Sequence, residues 1–241
     1  LEEFVSNSQN IDLLIGAGIA SDAALERICL KKNPNYKAVA LHYGNNLCTT
    51  IWDWISDKKM KGTYNNSCHN VYNESWISEH YSFQSEYIES IEGTEVKIMP
   101  YIWTPRFLEA DASKNGFNLD YAPTKKPNIV VMEPNLNFTK NFVPPLFAIR
   151  HVLATTPNIF EKAILFDTFK IASSENKTLI KNQILTDPVF AKHLDKLIFD
   201  PRERTAAIFN RDNPLVLSHQ HLNALNYTYL EALNYGYPLV H

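Results

Sequence analysis

The stretch "YTYLEALNYGYPLV" (227–240) holds a carboxylate, Glu231, inside a helix that Gly236 stops and Pro238 leaves behind. A carboxylate fixed in this way is a two-oxygen acceptor, suited to neighbouring hydroxyls such as the 2′ and 3′ groups of a ribose. Lys140, near the start of an earlier helix, is a cation within reach of phosphates, and His219 and His221 lie just past a strand end. A diphosphate carries about two negative charges, which a helix N-terminus, backbone N–H groups and one or two cations can hold without metal. The chain has no Asp-x-Asp motif to hold Mg²⁺ or Mn²⁺ against a diphosphate, so neither a metal nor a cofactor is expected.

These side chains need elements to carry them. With 241 residues and 45% apolar side chains, the chain can bury one large core or two modest ones. A net charge of -3 with 23 scattered basic residues leaves no electrostatic footprint for nucleic acid. No run of apolar residues is long enough to span a bilayer, and "LEEFVSNSQN" is acidic and polar, so a cytoplasmic protein is expected. Cys29, Cys48 and Cys68 are too few and too irregular for a disulfide framework or a four-ligand zinc site.

Short apolar runs alternate with helical spacing along the chain. "IDLLIGAG" (11–18), "SDAALERICLKK" (21–32) and "YKAVALHYG" (36–44) form a β-α-β unit, and "NESWIS" (73–78), "EHYSFQSEYIESI" (79–91) and "EVKIMPYI" (95–102) continue it. The polar, proline-bearing stretch 106–127 breaks the alternation and reads as a linker between domains. The pattern then resumes with strand 128–132, a helix from about Phe138 to Ala154, strand 162–167, a helical stretch 174–197, helix 202–210, strand 214–219, helix 223–235 and a strand from Pro238. Two α/β domains with parallel sheets are the simplest organisation, with ligand-binding loops at the carboxyl ends of the strands.

"PLVLSHQHLNALNYTYLEALNYGYPLVH" (214–241) resembles the donor-site signature of GT-B glycosyltransferases, in particular retaining family four. Glu231 falls on that family's second glutamate, and Gly236, Pro238 and Val240 match its Gly-x-Pro-x-Val exit; Asn223, Ala224 and Asn226 replace its first glutamate and two glycines. In "EPNLNFTKN" (133–141) Lys140 matches the family's lysine while Asn135 replaces its arginine. "VKIMPYIWTPRF" (96–107) is similar to the end of the first domain at Pro100 and Phe107, and "AVALHYG" (38–44) to a strand ending in an active-site histidine, here His42. The resemblance is strongest toward a poorly characterised bacterial branch with Asn-Tyr-x-Tyr-Leu-Glu-Ala-Leu in the helix.

The resemblance implies a GT-B fold with two Rossmann-like domains, both partial: residues 1–107 on the acceptor side, a linker over 108–126, and a donor domain over 127–241. It implies transfer of a hexose, with retention, from a nucleoside diphosphate sugar, UDP-linked first among the choices, to a glycan or lipid-linked acceptor. A lipid-linked acceptor would bring peripheral membrane association at the inner face. His42 would be catalytic, and Glu231, Lys140, Asn135, Asn137, His219, Asn223, Asn226 and Tyr227 would bind the donor across a cleft hinged at 106–127. A nucleotide-sugar epimerase of the same fold and a non-catalytic binding module are the alternatives; the epimerase needs carboxylate acid/base groups in the cleft.

Overall fold

The computed structural model describes residues 12–17, 33, 35–55, 72–135, 138–168, 184, 186–224 and 226–241. The chain forms two compact units, one of Leu1–Ile102 with Leu222–Leu225 and one of Trp103–His221 with Asn226–His241. Both are α/β with entirely parallel described strand pairs, as the alternating pattern requires. The helix expected over 21–32, Asn137 and much of the stretch 174–197 lie outside the described residues. No helix among the described residues is long and apolar enough to cross a membrane.

In the first unit β1 (Leu13–Ala17), β2 (Lys37–His42), β3 (Glu74–Ser78) and β4 (Val96–Met99) lie side by side in chain order. Ala38, Val39, Ala40 and Ile77 are buried, as strands covered on both faces must be. After β2 comes α1 (Asn46–Ile55), and after β3 a 3₁₀ turn runs directly into α2 (Ser85–Glu92). Gly93, left-handed at φ 68°, stops α2. The fully buried Gln84 holds the start of α1: its Oε1 accepts the amides of Asn46 (2.9 Å) and Leu47 (3.2 Å), while its Nε2 donates to the Gly44 carbonyl (2.8 Å).

The second unit contains α3 (Arg106–Asn115), β5 (Ile129–Val131), α4 (Val143–Thr155), β6 (Ala163–Leu165), α5 (Pro188–Lys192), β7 (Leu197–Phe199), α6 (Thr205–Asp212), β8 (Leu215–Leu217), α7 (Tyr227–Asn234) and β9 (Leu239–Val240). The sheet order is β7-β6-β5-β8-β9. Successive side chains of a strand face opposite ways, and the two cores divide accordingly. Val130, Ile164 and Val216 pack with residues of α3, α6 and α7, while Ile129, Val131, Ala163 and Leu165 pack with α4 and α5. Three layers result, with the sheet buried between helices.

Three local differences from the sequence pattern have physical reasons. The stretch expected as a linker contains α3, whose buried Leu108 and Ala112 join the second unit's core; two apolar positions at i and i+4 make only a faint stripe in a polar helix. The expected helical stretch to 197 is interrupted by a 3₁₀ turn over Leu194–Lys196 that leads into β7, and three residues are too few to show a strand period. The last helix begins at Tyr227 rather than 223, because Asn226 caps it by accepting the Thr228 amide at 3.2 Å and Leu222 is left-handed at φ 50°.

Phe209 is 1% exposed and stacks on Tyr237 with ring centroids 4.0 Å apart, joining α6 to the turn that follows α7. Phe209→Ala should cost about 3–5 kcal/mol of stability through lost burial and the cavity left behind. Urea unfolding of the variant checks this; a loss below about 1 kcal/mol would mean that this contact does not organise the core.

Candidate functional site

The winding of the second sheet creates a crevice. From β5 the chain moves outward through β6 to β7, then returns to place β8 on the other side of β5. The loops after β5 and β8 therefore part at the carboxyl edge, where ligands bind in open α/β sheets.

Glu133, two residues beyond β5, is 1% exposed. It accepts hydrogen bonds from the Ser218 hydroxyl, from the His219 amide at 3.2 Å and from the Gln220 side chain at 2.9 Å, all just past β8. An antiparallel bridge between Lys140 and Gln220, and the His221 amide donating to the Thr139 carbonyl at 2.9 Å, continue the tie. Asn135 completes the frame from a left-handed conformation (φ 52°), which Asn tolerates better than most residues. Its Nδ2 donates to the carbonyls of Glu133 (2.9 Å), Asp167 (3.2 Å) and Phe166 (3.3 Å), and its Oδ1 accepts the Phe142 amide (2.8 Å) at the start of α4.

Over this frame lies a cavity of about 310 Å³. Lys140 and Gln220 line it from the tied loops, Asn226, Tyr227, Thr228 and Glu231 from the first turns of α7, and Asp167, Arg202, Glu203 and Thr205 from the ends of β6 and β7 and the start of α6. Burial pushes the Glu231 carboxyl above its ordinary range, and a hydrogen bond with Thr205 partly opposes this. Burial depresses the Lys140 ammonium, against the attraction of Glu133. Glu133 is itself pushed up by burial, which Ser218, Gln220, the His219 amide and Lys140 counter in that order. Tyr229, whose hydroxyl lies 3.2 Å from Ser218 Oγ, is pushed up to about 12, again chiefly by burial.

Four of the residues singled out in the sequence therefore meet in one cavity: Glu231, Lys140, Asn226 and Tyr227. Other described candidates are placed differently. His219 gives its amide to Glu133 while its ring stacks near His241, centroids 6.1 Å apart, and the exposed His221 ring lies 6.0 Å from that of Phe138. Asn223 is 2% exposed in the first unit, where its Oδ1 accepts the Tyr81 hydroxyl at 3.0 Å. His42, at the end of β2, belongs to a buried network of that unit: Nε2 lies 3.1 Å from the Glu92 carboxylate and Nδ1 3.0 Å from Asn46 Nδ2, while Ser75 bonds the same carboxylate. Sequence reasoning passed over Glu133, Gln220, Asp167 and Arg202. A charged residue directly after the apolar run "NIVVM" was the available signal for Glu133, since a carboxylate there must be either solvated or bonded.

An acid whose folded pKa is raised keeps a proton that the unfolded chain has lost, so its contribution to stability falls as pH rises from the ordinary value of 4.5 through the raised one. Glu133 and Glu231 both act in this direction. Glu133→Gln removes one of the two, so its stability should decline less than that of the wild type between about pH 4.5 and neutrality. Chemical denaturation across that range tests this, and parallel curves for the two proteins would contradict the assignment.

No curated protein matches the chain. The family model described as protein of unknown function (DUF2827) matches residues 1–241, and the chain belongs to that family.

Proposed function

We propose that the second unit binds a nucleoside diphosphate sugar and that the protein is a metal-independent, retaining hexosyltransferase acting on a glycan or lipid-linked acceptor. The observation that carries this reading is the convergence of Glu231 and Lys140 on one cavity at the switch point of a parallel sheet. A volume of about 310 Å³ is in the range of small-molecule sites. Glu231, in the second turn of α7, accepts the vicinal ribose hydroxyls through its two oxygens. Lys140 meets the diphosphate as a partly desolvated cation, whose attraction to an anion exceeds that of a lysine in bulk water. The first turn of α7 adds the positive end of the helix dipole beside them.

One observation favours a second reading. Asp167 and Glu203 line the same cavity, and a nucleotide-sugar epimerase needs carboxyl groups there as acid and base. The two reactions separate cleanly in an assay without acceptor: an epimerase interconverts sugar nucleotides, and a transferase requires an acceptor before it releases nucleoside diphosphate.

Glu231→Ala should weaken binding of UDP by about 1.5–3 kcal/mol, the cost of losing a charged hydrogen-bond acceptor, in a protein that remains folded. Titration calorimetry with UDP, GDP and CDP tests this. Unchanged affinity for whichever nucleotide binds would remove Glu231 from the site.

A further inference from the structure

We propose that Arg202 is a second cation of the diphosphate subsite, acting with Lys140, an inference that rests on reading the cavity as a nucleoside diphosphate site. The two side chains come from different strand ends. Lys140 follows β5 and Arg202 follows β7, with β6 between them in the sheet. Lys140 is held by its bridge to Gln220 beyond β8, Arg202 lies beyond β7, and the same cavity has both in its wall.

Three other guanidinium groups of this unit are committed to carboxylates. Arg150 pairs with Asp187 at 2.6 Å, Arg204 with Asp111 at 2.6 Å and Arg211 with Asp212 at 2.8 Å. Arg202 lines the cavity and makes no ion pair with another described residue. Its neighbour Glu203 accepts the Arg204 amide at 3.0 Å. A guanidinium in this position is a planar donor fork that matches two phosphate oxygens at once, which an ammonium does not.

Charge accounting leads to the same residue. A diphosphate needs about two countercharges in a site without metal, and Lys140 supplies one. Asn135, in the same loop, is neutral and gives its amide to backbone carbonyls. Among the described residues, Arg202 is the other cation lining the cavity. Of the carboxylates there, Glu231 is bonded to Thr205 and is assigned to the ribose rather than to the diphosphate.

The test is titration calorimetry of wild type, Arg202→Ala and Arg202→Lys with UDP, inorganic pyrophosphate and uridine, at low and high salt. Arg202 is exposed on a loop, so both variants should melt with the wild type. Arg202→Ala should bind UDP and pyrophosphate at least tenfold more weakly and show a shallower salt dependence, leave uridine binding unchanged, and be partly rescued by lysine. Wild type that binds UDP or pyrophosphate, with Arg202→Ala unchanged, overturns the role of Arg202 alone. Wild type that binds neither overturns the diphosphate reading of the cavity, and the role of Arg202 with it.

Discussion

The second unit depends on a buried carboxylate at the point where its sheet changes direction. Parting the loops after β5 and β8 opens a crevice, and unsatisfied backbone and side-chain polar groups at such a point would be costly. Glu133 answers this by gathering three donors from the end of β8, namely a hydroxyl, an amide N–H and a carboxamide. Burial disfavours its charge, and those donors together with Lys140 favour it. The same group therefore fixes the frame and lies close enough to act on the lysine that lines the cavity. The Lys140–Gln220 bridge and the four hydrogen bonds of Asn135 spread the constraint into the start of α4 and the loop after β6.

Much of the architecture was legible in the sequence because parallel strands buried on both faces read as short apolar runs. "NIVVM", "KAILFD" and "PLVLSH" each contain an observed strand. The exit from the last helix was legible too, since Gly236 takes φ 74° and the amides of Gly236 and Tyr237 return to the carbonyls of Leu233 and Ala232. What escaped was short or polar. α3 buries only Leu108 and Ala112 from a charged helix, and β7 is three residues long.

The site was legible where spacing carries chemistry and obscure where it depends on topology. Glu231 and Lys140 stand out as a fixed carboxylate and a cation, and they line one cavity. Asn135 and Asn223 look alike in sequence but serve backbone geometry and a buried tyrosine hydroxyl, respectively. Arg202 and Asp167 reach the cavity because β6 lies beside β5 and β7 beside β6, a neighbourhood that linear spacing does not encode. The cavity wall thus combines hydrogen-bond acceptors with cationic donors, the two kinds of group on which the proposed sugar-nucleotide reading rests.

The most direct test of this account is a crystal structure of the full chain grown with a saturating nucleoside diphosphate sugar. The account predicts the diphosphate beyond the carboxyl ends of β5 and β8 beside Lys140, with the ribose hydroxyls on the Glu231 carboxylate. A nucleotide bound elsewhere on the protein, with the Lys140–Glu231 cavity filled only by water, would contradict it.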